Sequence, residues 1–408
     1  MIILYILLTL VLLSIMVVIH EFGHFIFAKI FGVKVLEFSI GMGPAIYTTK
    51  KRKKKDEIEF GQSFNSPNPD SDNTEVKTKE NESEPKASDK SESNEKTVFS
   101  IRAFPIGGFV SMEGENGESD DENAYSKKKP WQKIIISIAG PVMNIILGII
   151  CMFIIVLMDA KPVSNNNDGN GNVGYLASNV VAEFINIEYE DGTSFNSNSD
   201  KSPEPLMVND RIIKINNVRV HTGQEVVYEI TNHGYEPVDI VVERNGERIT
   251  LHNVSFPTEE SQGVKFGSYD FKVYSEPATF KNIMKHAVFR SFSTIKLVID
   301  SIVDLFRGRY GIEAVSGPVG VAEVVGQAAQ LGFGTILNLF TLITMNLGVF
   351  NLLPFPALDG GHIVLHIYEM IARKPVKKEV EQAINTVGLV LLMGFALFIT
   401  IKDVFGLF

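Results

Sequence analysis

Three stretches of this sequence are long and apolar enough to cross a lipid bilayer, and they restrict the possible folds more than any other feature. The first covers residues 1–19 and continues more weakly to residue 31; the others are Ile134–Met158 and Ile384–Ile401. A transmembrane helix needs about 20 predominantly apolar residues, so each stretch predicts one span. The first has no basic leader and no small-residue cleavage site, so we expect a retained span rather than a signal peptide.

A fourth apolar stretch, Gly334–Leu353, carries features that interrupt a plain membrane helix. Polar and helix-breaking residues lie within it or just after it: Asn346, Gly348, Asn351, Pro354 and Pro356. Irregular backbone at membrane depth is tolerated only where protein or a water-filled cavity satisfies its polar groups. We therefore expect a broken membrane segment here, and a functional site beside it.

Clusters of basic residues predict the orientation of the spans. The sequences KKRKKK at 50–55 and KKK at 127–129 lie between the first and second spans, and RKPVKK at 373–378 precedes the last one. Basic residues are enriched in cytoplasmic loops, so both connections are expected in the cytoplasm. Both termini and the 160–280 region would then lie on the other side of the membrane.

The segments between the spans differ in composition. Residues 35–130 contain two strand-like segments on either side of a Ser-, Asn-, Glu- and Lys-rich insertion at 56–96, which is too polar to bury a core and is expected to be disordered. Residues 165–275 are polar and strand-rich, with a hairpin signal at Asn245-Gly246. Residues 276–310 alternate charged and apolar residues at helical spacing and predict an amphipathic helix.

The predicted fold class is a polytopic α-helical membrane protein with about four transmembrane helices, a membrane-associated β-hairpin or sheet and a β-rich domain outside the membrane. The expected order of units is a span in 1–34, the β-element in 35–130, a span in 131–160, the strand-rich domain in 165–275, the amphipathic helix in 276–310, the broken segment in 311–372 and a last span in 380–408.

The first span ends in a metal-binding pattern. The single cysteine, Cys151, excludes an internal disulfide and a thiolate cluster, so a metal site must use His and carboxylates. The sequence His20-Glu21-Phe22-Gly23-His24 has the form H-E-x-x-H, which places two imidazoles on one helix face. Such a pair suits Zn²⁺ with an open position for a water molecule, whose pKa falls towards about 7. Glu21 would act as the general base.

A third ligand is needed, and the sequence offers several. Asp359 follows Pro354 and Pro356 and precedes two glycines, an arrangement that can turn a carboxylate inward. The alternative is a helix N-cap, a position at which Asp is favoured. His362 and His366 are rival ligands a short distance further on. The pattern alone leaves these alternatives open.

Five motifs in order along the chain resemble the site-2 protease family of intramembrane zinc metalloproteases, and more narrowly its regulator-of-sigma-E protease branch. They are HEFGH at 20–24, AFPIGGFVSMEGE at 103–115, AGPVMN at 139–144, SGPVG at 316–320 and MNLGVFNLLPFPALDGGH at 345–362. The resemblance implies that His20, His24 and Asp359 bind zinc, with Glu21 as the catalytic base. It also implies that Asn346 and Asn351 contact the substrate backbone, and it assigns no ligand role to His362 or His366.

The resemblance further implies a single PDZ-like domain at 165–275, as in the Gram-positive members. Its strand motif departs from the family at Asn209 and Asn217, which stand where the family has glycines. The implied location is a bacterial cytoplasmic membrane, with the PDZ-like domain extracytoplasmic. The implied partners are the lipid bilayer, single-span membrane substrates such as anti-sigma-factor-like proteins or remnant signal peptides, and an upstream site-1-type protease. No nucleic-acid partner is expected.

Three other functions are compatible with parts of the pattern. A membrane-anchored zincin could act on soluble peptides, but the third-ligand candidate then would not lie in a broken apolar segment. A non-catalytic PDZ-bearing scaffold with a vestigial metal site is opposed by the intact H-E-x-x-H and D-G motifs. A transporter could use a broken helix, but the sequence shows no internal repeat.

Overall fold

The computed structural model of the chain describes residues 2–49, 97–115, 117, 119–160, 174–188, 194–261, 264–309, 311 and 315–406. The insertion predicted at 56–96 and the basic cluster at 50–55 lie outside the described residues. The described helices are α1 Ile2–Ile30, α2 Pro130–Asp159, α3 Gly223–His233, α4 Phe280–Phe306, α5 Pro318–Leu331, α6 Phe333–Asn351, α7 Asp359–Ala372 and α8 Lys378–Gly406.

Four of the described helices are long and apolar enough to cross a membrane. They contain the candidate spans Leu4–Ile30, Pro130–Asp159, Phe333–Asn351 and Lys378–Phe405. Their apolar side chains remain largely exposed on the molecule, which is expected of surfaces that face lipid. The prediction of about four membrane helices is therefore confirmed in helix length and composition.

Helix α6 differs from the sequence-based expectation in where it is broken. Gly348 was expected to interrupt the apolar segment, but α6 continues through it to Asn351. A Cβ at Gly348 would lie 2.9 Å from the carbonyl oxygen of Pro141 on α2, so this glycine permits close helix packing instead. The chain leaves the helix only after Asn351 and enters α7 at Asp359.

Helices α1 and α2 also pack closely through a small residue. A Cβ at Gly23 would lie 2.4 Å from the carbonyl oxygen of Ala139, so a larger residue would push the helices apart. Without a hydrophobic driving force between helices in lipid, such close backbone contact is a main source of association. It brings the H-E-x-x-H segment of α1 directly against α2.

Strands β1 (Val35–Thr48) and β2 (Val98–Met112) form an antiparallel sheet beside the end of α1. Phe38 of β1 pairs with both Phe99 and Val110, so the first half of β1 lies between the two ends of β2. The sheet shares a hydrophobic core with α1 and α2. One end of β2 is thereby fixed next to H-E-x-x-H.

The remaining described strands belong to the β-rich domain. They are β3 Tyr175–Phe184, β4 Ile187–Glu188, β5 Ser194–Phe195, β6 Arg211–Ile215, β7 Val218–Arg219, β8 Val238–Arg244, β9 Glu247–Val254, β10 Thr258–Ser261, β11 Val264–Gly267 and β12 Phe271–Pro277. The main sheet has the order β12-β3-β6-β8-β9, with β7 paired to β6; β4 pairs with β5 and β10 with β11. Its apolar side packs with α3 into one core.

Local turn chemistry explains two features of this domain. Asn245 and Gly246 both have positive φ, 54° and 85°, and join β8 to β9, so the predicted hairpin is confirmed. Asn209, where the resemblance led us to expect a glycine, has φ 73°. Asparagine tolerates this left-handed conformation better than most residues, so Asn209 can form the turn before β6.

The β-rich domain is attached to the far end of α2 through α4. The Tyr228 hydroxyl of α3 donates to Asp300 Oδ2 of α4 at 2.9 Å. Arg290 of α4 donates to the carboxylate of Asp159, the last residue of α2, at 2.7 Å. Because a helix rises 1.5 Å per residue, Asp159 lies about 28 Å along α2 from Gly140, close to the thickness of the hydrocarbon core.

Candidate active site

Two imidazoles and one carboxylate meet at the crossing of α1, α2 and α7. His20 Nε2 lies 2.9 Å from Asp359 Oδ2, and His24 Nε2 lies 3.5 Å from Asp359 Oδ1. The two Nε2 atoms are 3.2 Å apart. Ligand atoms on a tetrahedral zinc ion with bonds of 2.0–2.1 Å lie about 3.3 Å from one another. The three groups therefore have the spacing of a shared metal site.

The position of Asp359 follows from the backbone between α6 and α7. Ala357 has φ 68°, a conformation that is unfavourable for a residue with a Cβ, and Leu358 is extended as the N-cap of α7. Asp359 is thus the first residue of the helix rather than its cap. Its carboxylate points to the two imidazoles, which removes the N-cap alternative left open by the sequence.

The rival histidines are held elsewhere. His362 Nδ1 lies 3.5 Å from Glu381 Oε1 of α8. His366 Nε2 lies 2.9 Å from the Tyr125 hydroxyl, and its Nδ1 faces Glu369. Neither imidazole joins the His20, His24 and Asp359 group, which is the set of potential metal ligands among the described residues.

Gly140 of α2 leaves the space in which an ion would lie. A Cβ built on it would be 2.3 Å from His24 Nε2 and 2.7 Å from His20 Nε2. Those distances are close to a zinc–nitrogen bond and far below a van der Waals contact. Any larger residue at position 140 would therefore crowd both nitrogens, whereas glycine leaves the space beside them open, and the residues present fit a bound zinc ion.

Two groups on α2 contact the outer nitrogens of the imidazoles. His24 Nδ1 lies 2.7 Å from the Ile136 carbonyl oxygen, to which it must donate. That bond leaves Nε2 of His24 with its lone pair free for a metal. His20 Nδ1 lies 3.3 Å from the side-chain amide of Asn144, which is fully buried.

Glu21 lies beside the triad of His20, His24 and Asp359 in a cavity of about 380 Å³. Its Oε2 accepts a hydrogen bond of 3.1 Å from the Val110 amide of β2. This bond fixes the carboxylate between the imidazole pair and the end of β2. The cavity is lined by the triad and by further polar side chains: Glu115, Tyr125, His362, Lys378 and Glu381.

Of these polar side chains, only His362 was identified from the sequence, and there as a rival metal ligand. They come from the segment after β2 and from helices α7 and α8, which converge only in the folded molecule. A chamber with this lining can hold water at a depth where a bilayer offers none. The site therefore has both a metal-binding group and room for the water that hydrolysis consumes.

The two asparagines expected to contact substrate do not line this cavity. Asn346 faces a separate, mainly apolar groove of about 600 Å³ between α4, α5 and α6. Its Oδ1 is buried and has no hydrogen-bond partner among the described residues. Asn351 is the last residue of α6, where the chain turns towards Asp359.

The depth of the site is given by its place in the helices. His20 and His24 both lie inside the candidate span Leu4–Ile30. His20 is about 15 Å from the end of α1 at Ile30, and Gly140 is about 15 Å from the start of α2, at 1.5 Å per residue. The two histidines are therefore well inside an apolar helix, and Asp359 reaches them from the first turn of α7.

The sequence is similar to known metalloproteases over almost its whole length. It matches peptidase family M50 over residues 8–64 and 89–395. A Clostridium acetobutylicum protein with zinc metalloprotease in its name is 30% identical, over 96% of this chain and 94% of that protein. The zinc metalloprotease named RasP from Shouchella clausii is 27% identical, over 97% of this chain and 97% of that protein. The one named RasP from Geobacillus kaustophilus is 25% identical, over 94% of each chain.

Proposed function

Since the chain belongs to peptidase family M50, the site-2 protease family, and is a multi-pass membrane zinc metalloprotease, we propose that it cleaves the transmembrane segments of single-span proteins. The observation that carries the proposal is that His20 and His24, inside the span-length apolar helix α1, meet Asp359 at the start of α7. A protease that acted only on soluble peptides would not need its metal ligands at that depth.

In this proposal His20, His24 and Asp359 hold the zinc ion. A zinc ion bound by three protein ligands polarises the scissile carbonyl and lowers the pKa of a water molecule towards about 7. The carbonyl of Ile136 orients His24, and Gly140 keeps the metal position clear of side chains. Two ligands on α1 and one on α7 make the site dependent on the packing of both helices.

Glu21 is the proposed general base. Its carboxylate takes a proton from the attacking water and delivers it to the leaving amide nitrogen, so one group serves both halves of the hydrolysis. The hydrogen bond from the Val110 amide holds Glu21 in place while it does so. Glu21 directly follows His20 and is about 100° from it around α1. Its carboxylate therefore lies beside the helix face that carries the two imidazoles.

Substrate presentation is proposed to use β2 and the asparagines of α6. A transmembrane helix satisfies its own backbone hydrogen bonds, so it must unwind locally before a peptide bond can be cut. The end of β2 beside Glu21 offers a strand to which an unwound segment can add. Asn346 and Asn351 are proposed to pair with exposed backbone amides, since their side chains both donate and accept.

The biological setting is proposed from the charge pattern and the family. The site lies on the cytoplasmic side of a bacterial cytoplasmic membrane, and the β-rich domain is a PDZ-like module outside it. Its position near Asp159, about 28 Å along α2 from Gly140, supports opposite sides for domain and site. Substrates are anti-sigma-factor-like proteins or remnant signal peptides, shortened by a site-1-type protease before they enter.

The test of the proposal is the Glu21→Gln variant in reconstituted membranes. A single-span model substrate without an outer domain is supplied, and cleavage and bound zinc are measured on the same preparation. We expect cleavage to fall by about 10²–10⁴-fold, the usual contribution of a general base. Zinc should be retained, because Glu21 is not one of its ligands.

Two results would contradict the proposal. Undiminished cleavage by Glu21→Gln would remove Glu21 from the mechanism. A native protein that binds no zinc and cuts no membrane substrate would instead favour a scaffold with a vestigial metal site. A soluble version of the scissile sequence is the matched substrate control, since a membrane-anchored zincin would cut it equally well.

A further inference from the structure

The side chain of Asn144 makes an unusual contact with the metal site. It lies on α2, is fully buried, and places its amide nitrogen Nδ2 3.3 Å from His20 Nδ1. Its amide oxygen Oδ1 is also buried and has no hydrogen-bond partner among the described residues. Buried amide oxygens are rarely left in that state, so this one requires an explanation.

The Asn144 amide can meet His20 Nδ1 in two ways, through its nitrogen or through its oxygen. If Nδ2 of Asn144 donates to Nδ1 of His20, the proton of the neutral ring is on Nε2 and faces Asp359 Oδ2, which lies 2.9 Å from that nitrogen. A ring protonated on Nε2 offers that nitrogen no lone pair for zinc, however.

A half-turn of the amide reverses this. The Asn144 oxygen then faces His20 Nδ1 and accepts a hydrogen bond from a proton on that nitrogen, which leaves the lone pair of Nε2 free for a metal. The oxygen and nitrogen of an amide have almost the same shape, so the half-turn requires no change in packing. His24 has no such choice, because the Ile136 carbonyl can only accept.

We propose that Asn144 is a positioning residue that sets the tautomer of His20: its amide oxygen accepts a hydrogen bond from the Nδ1–H of His20, so that Nε2 is free to bind zinc. The buried oxygen without a partner is the acceptor that this role requires. This inference rests on the proposed zinc ligands and adds a group that controls one of them.

The test compares zinc dissociation constants of purified variants in detergent, measured by competition with a chelator. Asn144→Ala removes the acceptor and should weaken zinc binding by about 10–100-fold, the usual effect of losing a group behind a metal ligand. Asn144→Asp keeps an acceptor of the same shape at the same place. It should bind zinc at least as tightly as the native protein.

Thr344→Val is the matched control. The Thr344 hydroxyl contacts the backbone oxygen of Asn144 at 3.5 Å and is equally buried, but it does not touch His20. It should leave zinc affinity unchanged. Absorption spectra of the cobalt-loaded proteins give a second readout: the native and Asn144→Asp spectra should agree, and that of Asn144→Ala should differ because His20 is displaced.

The proposal is overturned if Asn144→Ala keeps the native zinc affinity, or if a folded Asn144→Asp loses affinity as much as the alanine variant does. The aspartate variant decides the question by itself should the alanine variant fail to fold. Failure of the proposed function is distinguishable, since the native protein itself would then bind no zinc.

Discussion

At the residue scale, binding of a metal by His20 and His24 requires that position 140 carry no side chain. A Cβ at that position would lie 2.3 Å from His24 Nε2 and 2.7 Å from His20 Nε2, the nitrogens proposed to bind zinc. The sequence motif AGPVMN contains this glycine and Asn144, and both act from a helix that carries no ligand. In the proposed site, the motif leaves space at Gly140 and places the Asn144 amide beside His20.

Replacing Gly140 by alanine should remove the metal without unfolding the protein. The added methyl group would lie within 2.3 Å of His24 Nε2, so zinc affinity should fall by about 100-fold or more, at or beyond the upper end of the range for a disturbed ligand shell. Zinc content after dialysis measures the effect. Gly394→Ala in α8 is the control, because a Cβ there would have no neighbour within 4 Å. Equal zinc in both variants would refute the assigned metal position.

At the element scale, helix α5 begins without a cap of its own and is capped by another helix. Its N-cap residue is Gly317, just before Pro318, and a glycine has no side chain with which to cap the helix. Asp403 of α8 supplies the acceptor, with Oδ2 at 2.8 Å from the Gly317 amide and 3.1 Å from the Gly320 amide. A carboxylate at a helix N-terminus is favoured by both hydrogen bonding and the helix dipole.

Asp403→Ala should therefore lower the free energy of unfolding by about 1–3 kcal/mol, the cost of leaving buried amides unpaired. Asp403→Asn keeps an acceptor and should lose less. Thermal unfolding in detergent measures both, with Glu379→Ala, an exposed residue of the same helix, as the control. A stability of Asp403→Ala equal to that of the control would show that the α5–α8 contact does not depend on this cap.

At the scale of the whole molecule, α2 joins the two functional ends of the protein. Its first half contributes Ile136, Gly140 and Asn144 to the site, and its last residue, Asp159, contacts the helix that carries the β-rich domain. If this helix spans the membrane, domain and site approach substrate from opposite sides. Substrate would then meet the domain before the site.

This arrangement can be tested by labelling introduced cysteines in intact cells. The chain has one native cysteine, so Cys151→Ser gives a clean background. An exposed Asn245→Cys in the β-rich domain should react with a membrane-impermeant maleimide from outside. An exposed Glu122→Cys after β2 should react only once the membrane is opened. The reverse pattern would contradict the proposed orientation.

The features that sequence determined by itself are those in which neighbouring residues set the geometry. The four apolar helices follow from hydropathy, the pairing of His20 with His24 from the helical repeat, and the Asn245-Gly246 hairpin from local backbone preference. The expected break at Gly348 was wrong because a glycine in a membrane helix can equally serve close packing.

Only the tertiary structure decided which distant groups meet the imidazoles. Asp359, His362 and His366 were all available by pattern, and the strained turn at Ala357 directs Asp359 to the site. The contributions of Gly140 and Asn144 depend on how α2 crosses α1, and the polar chamber depends on α7 and α8. Hydropathy and spacing report on one segment at a time, whereas these contacts arise from packing between segments far apart in the chain.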